Sequence, residues 1–422
     1  MKMNEIRKKL NVFCYLCSMF INEETWNFVR QHAGDDVRTL ALQGAKEAGV
    51  DLTVALQQIA GWQTARRKLP SWAAVEGMVY PPHLNMEQCS SEQTARYKAG
   101  LVGTGDTYVD LTGGFGVDFY FMSQAFSRRI YVEQSADLCA IVDGNMGVLG
   151  LDCSVCQGTA SAYLAAMEGK ASVIYLDPAR RNEHGGRTYG IEDCSPNVLE
   201  LLPLLMEKAG RVILKLSPML DWHQAVEALK YVTEVHILSV ANECKELVLV
   251  LEQKPTADLR LCCVNDAQIF EVIYLKQTHV LPQVNSPFTL GKFSHWMETS
   301  ESGLYLYEPN ASIMKAGCFA ELAERYEVSP VAVNSHLFLS SVEIGDFPGR
   351  GFQVEAVSSM NKREINQKLT SLKSANISVR NFPLTADQLR KKLKLKDGGD
   401  VYIFATTVGK GEHKLFICRK IS

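Results

Sequence analysis

Between residues 108 and 252 short apolar runs alternate with helical stretches, and this alternation constrains the fold more than any other feature of the chain. The strand-like runs lie at 108–111, 129–133, 154–157, 173–177, 211–216, 235–240 and 247–252. Helical patterns fill 117–125, 136–149, 160–168, 197–208 and 222–232 between them. Several of the strand-like runs are apolar without alternation, as parallel strands covered on both faces must be. Strand and helix in strict alternation build right-handed crossovers and an open, doubly wound α/β sheet. The last two runs are separated only by Ala241-Asn-Glu-Cys-Lys-Glu246. So short a link cannot carry a parallel crossover, and the pair is expected to be antiparallel.

Other material flanks this core. Residues 22–75 read as helical, with Leu40, Leu42, Leu52, Leu56 and Ile59 at helix-like intervals. A polar helix start follows in Glu87-Gln-Cys-Ser-Ser-Glu-Gln-Thr-Ala-Arg-Tyr-Lys98, where Ser91 can cap the first turn. Beyond Pro255 the pattern becomes α+β, with a helix around 319–325. It ends in helix 362–374, strand 377–381, helix 385–394 and strands 401–407 and 414–419. A chain of 422 residues exceeds one compact domain. The expected division is an N-terminal helical region 1–98, a sheet domain 99–256, a linking α+β segment 257–325 and a small basic α+β domain 326–422.

Charge supports that division. Residues 358–422 hold 14 Lys and Arg against 5 Asp and Glu, whereas the whole chain has a net charge of −3. A basic end on an acidic body suits an anionic partner, although a solvated basic helix explains any single Lys cluster as well. The 12 cysteines do not form a disulfide scaffold pattern in a chain of this size. Two CxxC pairs, Cys14/Cys17 and Cys153/Cys156, are too far apart in sequence for a compact zinc site, and no metal is expected. Lys2, Arg7, Lys8 and Lys9 precede an apolar run at 12–21, but no small-x-small cleavage site follows and the run is too short to span a bilayer. A cytoplasmic location without membrane attachment is expected, and Met19 is an alternative start.

Three features carry chemistry. Asp110-Leu-Thr-Gly-Gly-Phe-Gly-Val-Asp118 stands between a strand and a helix. Its glycines let the backbone turn sharply, and the helix start can face an anionic or polar ligand group. Such a turn alone serves S-adenosylmethionine, nicotinamide or flavin cofactors, or none. Glu133 closes the next strand, about 20 residues on, where a carboxylate can accept both ribose hydroxyls. Asp177-Pro178 closes the fourth strand; the proline ends the ladder and presents the carboxylate above the sheet edge. Dinucleotide dehydrogenases have no need of Asp-Pro here, and Phe119 stands where the nicotinamide fingerprint requires Gly or Ala. Methyltransferases acting on amino nitrogens hold the amine with Asp/Asn-Pro-Pro-aromatic. Here Ala179 and Arg180 depart from that pattern, so the acceptor stays open. Lys215, at the end of the fifth strand, is a further polar group on this edge. No Cys follows Lys215-Leu-Ser-Pro218, which weighs against pyrimidine C5 methylation through a thiolate. Arg180, Arg181 and Arg187 read either as a basic clamp for an anionic acceptor or as a solvated loop.

The runs 87–98 and 110–118, Tyr131-Val-Glu133 and Leu176-Asp-Pro-Ala-Arg180 together resemble a bacterial family of class I S-adenosylmethionine-dependent methyltransferases with a C-terminal THUMP-like domain. Tyr307-Glu-Pro-Asn-Ala-Ser-Ile-Met-Lys-Ala-Gly317, Arg380-Asn-Phe-Pro-Leu384 and Leu389-Arg-Lys-Lys-Leu393 are similar to later parts of that family. The likeness runs from about Asn22 to the end. It implies a Rossmann-like class I methyltransferase sheet and S-adenosylmethionine as cofactor. It implies cofactor contacts at Asp110, Thr112, Gly113, Gly114, Gly116, Glu133 and Asp177; Ser91, Thr94, Phe115, Gln134 and Gly158 are expected beside them, with the segment at 90–94 folding over the methionine end as similar segments do in related methyltransferases. Asp177, Pro178 and Lys215 are the expected catalytic residues. The THUMP likeness implies RNA as partner; Arg180, Arg181, Arg187, Arg390, Lys391 and Lys392 are the residues expected to bind it, and a nitrogen is the expected acceptor. The alternatives are a protein or small-molecule acceptor, or a non-catalytic nucleic-acid-binding protein on the same fold.

Overall fold

The computed structural model describes residues 21–44, 47–180, 190–254, 258–275, 303–332, 334–409 and 411–421. The chain divides into two compact units, Met1–Glu234 with Leu247–Thr256, and Val235–Glu246 with Ala257–Ser422.

The first unit starts with helices Glu23–His32, Val37–Gln43 and Leu52–Lys68. Asn22, Asp36 and Asp51 cap them, each side chain accepting from a backbone N–H three residues on. Phe28, Val29, Leu40, Ala55 and Ile59 form their small core. Gln58 donates to Tyr80 O and accepts from Tyr80 N, while Asn145 does the same with Val79 at 2.8 and 2.9 Å. The segment 79–80 thus ties the helical region to the sheet domain. Short helices Pro70–Ala73, His83–Gln88 and Glu92–Ala99 lead into the sheet.

The strands follow as β1 (Gly105–Asp110), β2 (Phe126–Glu133), β3 (Ser154–Gln157), β4 (Ala171–Leu176), β5 (Ala179–Arg180), β6 (Cys194–Ser195), β7 (Ala209–Leu216), β8 (Val232–Val240) and β9 (Glu243–Glu252), with β5 and β6 forming a separate two-stranded sheet. β1 pairs in parallel with β2 on one side and β4 on the other; β3 extends β2, and β7 extends β4, both in parallel. β9 lies antiparallel to β7 through its residues Leu247–Glu252. The chain therefore reverses its direction of strand addition between β1 and β4. Such a switch point opens a crevice at the carboxyl ends of the two strands, which is where ligands of open α/β sheets sit. Val109, Ile174, Val212 and Leu214 are fully buried along the sheet, as parallel strands covered on both faces require.

β8 and β9 turn back on each other through Ala241 and Asn242, both at positive φ (50° and 61°). A two-residue turn of this hand matches the twist of an antiparallel pair. The expected polar link at 241–246 shrinks to these two residues because Glu243–Glu246 is already strand. The pair is divided between the units. In the first, Thr233 Oγ1 donates to Val250 O; in the second, the tip places Ser239 Oγ 3.3 Å from Cys244 Sγ.

In the second unit β10 (Asp258–Asn265) and β11 (Gln268–Leu275) form an antiparallel hairpin, a strand pair not located individually within the expected α+β segment 257–325. A seven-stranded sheet follows, built from β12 (Tyr305–Pro309), β13 (Ser329–Pro330), β14 (Phe338–Ser340), β15 (Gly349–Ser359), β16 (Asn376–Arg380), β17 (Val401–Val408) and β18 (Glu412–Lys420). Its order is β13-β14-β12-β15-β18-β17-β16, and the β16–β17 pair is parallel. β12 pairs with both β14 and β15, so the boundary expected at 325–326 falls inside this sheet. The strand β15, eleven residues long, went unread because its start resembles loop (Gly345, Pro348, Gly349, Gly351) and because a bulge between Val354 and Ala356 breaks the period of two. One face of the sheet buries Leu306, Phe352, Phe404 and Phe416; the other buries Ile403, Ala405, Leu415 and Ile417 with Leu369 and Leu389 from helices Lys362–Leu369 and Ala386–Leu393. Phe352 is fully buried with its ring centroid 4.7 Å from Phe404. Phe352→Ala is expected to lower the stability of this unit by about 3–5 kcal/mol, read from urea unfolding.

Candidate active site at the switch point

The glycine turn after β1 is fixed from three sides. Asp110 is buried, and its carboxylate accepts the Thr112 N–H at 2.9 Å. The Gly113 N–H donates to Val132 O of β2 at 3.0 Å. Gly113 lies so close to Tyr131 that a Cβ there would fall 1.9 Å from the ring. Gly114 and Gly116 adopt φ of 53° and 77°, a turn that leads directly into helix Val117–Met122.

Glu133 binds the turn from the end of β2. One carboxylate oxygen accepts the Gly114 N–H at 3.0 Å and the other the Ser135 N–H at 2.9 Å, while the Glu133 carbonyl accepts the Gly158 N–H at 2.9 Å. Each carboxylate oxygen keeps acceptor capacity beyond these bonds. On either side, a Cβ at Gly158 would meet nothing within 4 Å, and one at Gly114 would meet only Thr112 O at 3.9 Å. An acceptor carboxylate flanked by bare, approachable backbone fits the ribose of a nucleoside cofactor.

The end of β4 meets the same turn. The Asp177 N–H donates to Thr112 Oγ1 at 2.6 Å, and Lys215 of β7 donates to the Asp177 carboxylate. Pro178 is buried and turns the chain away from the sheet. Burial pushes the Asp177 carboxyl above its ordinary value, and the Lys215 charge offsets this only in part. The side chain is still 35% exposed, so water tempers that rise. Burial also raises Asp110 well above the usual carboxylate range; the Thr112 N–H opposes this, and the nearby Asp118, Asp177 and Glu133 charges add to it.

Beneath these groups lies a charged cluster that sequence reasoning did not assign to the site. Asp118 is buried and accepts from Lys98 Nζ at 2.9 Å, Ser90 Oγ at 2.7 Å and Tyr175 Oη at 2.6 Å. The Lys98 ammonium, 0% exposed, also donates to Ser90 Oγ at 2.7 Å. Lys215 Nζ stands 4.0 Å from the Asp118 carboxylate. Burial opposes ionisation of Asp118, but Lys98 and Lys215 outweigh it and hold the carboxyl below 3.8. A signal was present in the sequence: Lys98 stands four residues after Thr94 and three after Ala95, on the helix face that the fold buries.

The remaining expected residues divide. Ser91 and Thr94 are occupied with each other: Ser91 Oγ caps the helix by accepting the Thr94 N–H, and Thr94 Oγ1 donates to Ser91 O. It is Ser90 that connects this segment to Asp118. Phe115 points into an aromatic cluster, 5.3 Å from Trp72 and 6.3 Å from Tyr80. Gln134 is exposed. The backbone of Arg180 pairs with Cys194, while Arg181 and Arg187 lie outside the described residues. Arg390 is held by Asp387 at 2.7 Å and Asp397 at 2.6 Å, whereas Lys391 and Lys392 are exposed. Cys153 and Cys156 are free thiols, and Cys14 and Cys17 lie outside the described residues. Among the described residues no group of three His, Cys, Asp or Glu side chains could hold a metal, and no helix is long and apolar enough to cross a membrane.

A parallel sheet with an antiparallel β9 beside β7, a glycine turn after β1 and an acid closing β2 define a class I S-adenosylmethionine-dependent methyltransferase, here with a C-terminal THUMP-like domain. Residues 349–420 match the THUMP domain-like family, and residues 305–348 match a ferredoxin-like domain family. The chain is similar to uncharacterized S-adenosylmethionine-dependent methyltransferases from two strains of Mycobacterium tuberculosis, CDC 1551 and H37Rv. Each is 22% identical over 348 residues, covering 79% of this chain and 87% of the relative. It also resembles a crystal structure from Porphyromonas gingivalis W83 described as a methyltransferase. That likeness has 29% identity and a TM-score of 0.80 over 96% of this chain and 100% of the other.

Proposed function

We propose that the protein transfers a methyl group from S-adenosylmethionine to a nitrogen of RNA in the cytoplasm. The observation that carries the reading is the joint between two strand ends: Thr112 of the glycine turn binds the Asp177 backbone, which ties the cofactor turn to the Asp177-Pro178 edge. When bound, S-adenosylmethionine supplies an electrophilic methyl group on a sulfonium centre. Glu133 accepts the ribose hydroxyls with its remaining lone pairs, beside the bare backbone of Gly114 and Gly158. Asp110 and Thr112 shape the turn that would hold the cofactor, and the backbone N–H groups of that turn would meet its carboxylate. The Asp177 carboxylate would accept an N–H of the target amine and so orient its lone pair; as the N–C bond forms and the methyl–sulfur bond breaks, S-adenosylhomocysteine would leave and the amine proton would pass to water. Lys215 fixes that carboxylate, and buried Pro178 keeps the exit sharp. Transfer of this kind depends on positioning rather than on a covalent enzyme intermediate.

The THUMP-like match and the basic balance of residues 358–422 support RNA as acceptor, since cationic surfaces bind the phosphate backbone. Within the basic helix, exposed Lys391 and Lys392 are the phosphate contacts, and Arg390, already engaged by two aspartates, contributes less. Lys391→Ala/Lys392→Ala is expected to weaken RNA binding and to flatten the slope of log affinity against log salt by about 1–2. Filter binding from low to high salt reads both effects; unchanged affinity and slope would remove this helix from the RNA surface. Tritiated methyl transfer to total RNA and, separately, to protein extract tests the acceptor class. Label in RNA is the expected result, label in protein moves the acceptor to protein, and label in neither overturns the catalytic reading.

A further inference from the structure

Two lysines and two aspartates meet at the proposed acceptor site, with Lys98 and Asp118 enclosed and Asp177 partly open, and burying such charges costs stability compared with apolar side chains of the same volume. Lys98 comes from helix Glu92–Ala99, Asp118 from the helix after the glycine turn, and Lys215 and Asp177 from the ends of β7 and β4. Their order in space is Lys98, Asp118, Lys215, Asp177. Lys98 meets both Asp118 carboxylate oxygens, at 2.8 and 2.9 Å, while Lys215 is bonded to Asp177 and stays 4.0 Å from Asp118. Lys215 thus stands between two carboxylates and is bonded to one.

We propose that Lys98 and Asp118 are positioning residues for methyl transfer: Lys98, ion-paired with Asp118 beside the Ser90 and Tyr175 hydroxyls, balances the Asp118 charge and so leaves Lys215 to hold Asp177. This rests on the proposal that Asp177 orients the acceptor. The physical reason is competition. A buried carboxylate without a partner cation draws the nearest one, because attraction between charges is strong where water is excluded. Without Lys98, the Asp118 carboxylate captures Lys215, and Asp177 loses the contact that fixes its direction. The N-terminal region then takes part in the active site through one buried ammonium, and the run ending at Lys98 has a role beyond helix formation.

The test compares wild type, Lys98→Met and the charge-balanced Lys98→Met/Asp118→Asn. The neutral amide of the Asp118→Asn change can still accept from Tyr175 or Ser90 but no longer competes for Lys215. Lys98→Met is expected to lower the initial rate of methyl transfer on the order of 100-fold, as a misaligned reacting group does, with the KM for S-adenosylmethionine little changed. The double variant should regain at least roughly tenfold over Lys98→Met, a coupling that independent sites do not show. A second readout needs no acceptor: carbon NMR of aspartate labelled at Cγ, with the Asp177 signal assigned from Asp177→Asn. Among the described residues, the charged and titratable groups acting on Asp177 are Lys215, Asp118, Lys98 and Asp110. Losing Lys215 therefore moves the Asp177 titration to higher pH in Lys98→Met, and the double variant returns it. An Asp177 titration that does not move in Lys98→Met, or a double variant that transfers no faster than Lys98→Met, overturns the proposal. If Lys98→Met does not fold, the double variant decides alone: near wild-type titration of Asp177 supports the proposal, and an upward shift overturns it. Absence of label with wild type sinks the catalytic reading, while the NMR result still judges the competition for Lys215.

Discussion

Asp177→Ala is expected to reduce methyl transfer by roughly 100- to 1000-fold, the scale of losing one preorganised group aimed at the reacting centre, while S-adenosylmethionine affinity measured by calorimetry changes little. The asymmetry follows from geometry. Asp177 is joined to the cofactor turn through its backbone N–H, which Ala retains, so the bond to Thr112 survives. What is lost is the carboxylate held by Lys215. The pH dependence has a definite sign. Burial lifts the Asp177 carboxyl above 3.8, and the form proposed to bind the amine is the carboxylate. The rate should therefore fall on the acidic side along a limb whose midpoint lies above 3.8. Asp177→Asn should remove that limb from its residual activity. An unchanged rate in Asp177→Ala would displace this residue from the acceptor site.

Gly113→Ala should be the most damaging change of a single methyl group in the sheet domain. The added Cβ would stand 1.9 Å from the Tyr131 ring, and that ring cannot retreat: it is fully buried, packs edge-on to Phe119 and donates its hydroxyl to Gly114 O at 2.6 Å. Overpacking of this kind costs about 1–3 kcal/mol or more, and it displaces the turn that carries the proposed cofactor contacts. Unfolding in urea and calorimetry with S-adenosylmethionine should both register the loss. Gly114→Ala supplies the contrast. Its Cβ would enter open space, but φ of 53° imposes a strain of about 1–2 kcal/mol, so stability should fall less. The two neighbouring glycines are needed for different reasons, one for packing and one for backbone conformation.

Most of the sheet was legible because its determinants are local. The apolar runs at 108–111, 129–133 and 173–177 coincide in large part with β1, β2 and β4, and the helix at Phe319–Arg325 lies where its pattern places it. The strand β15 and the hairpin β10–β11 were not legible. In β15 a bulge breaks the alternation on which strand recognition depends, and glycines near its start imitate a loop. The site divides in the same way. Asp110, Glu133 and Asp177 end strands that adjoin in the sheet, so their convergence follows from topology once the strand order is known. Phe115 belonged to the same motif, yet its ring turns inward to Trp72, because a large aromatic side chain at a helix start is drawn into the nearest apolar cluster.

The sequence by itself determined the doubly wound sheet, the glycine turn and the acids at the strand ends, because hydrophobic period and turn chemistry are written within a few residues of each other. Tertiary structure alone decided which charges meet. Lys98 and Asp118 are twenty residues apart, and Lys215 lies almost a hundred beyond Asp118, with nothing in their spacing to pair them. Their contact exists because the helix at Glu92–Ala99, the helix start after β1 and the ends of β4 and β7 pack at one crevice. There, exclusion of water turns the separation between charges, rather than their separation in sequence, into the quantity that matters.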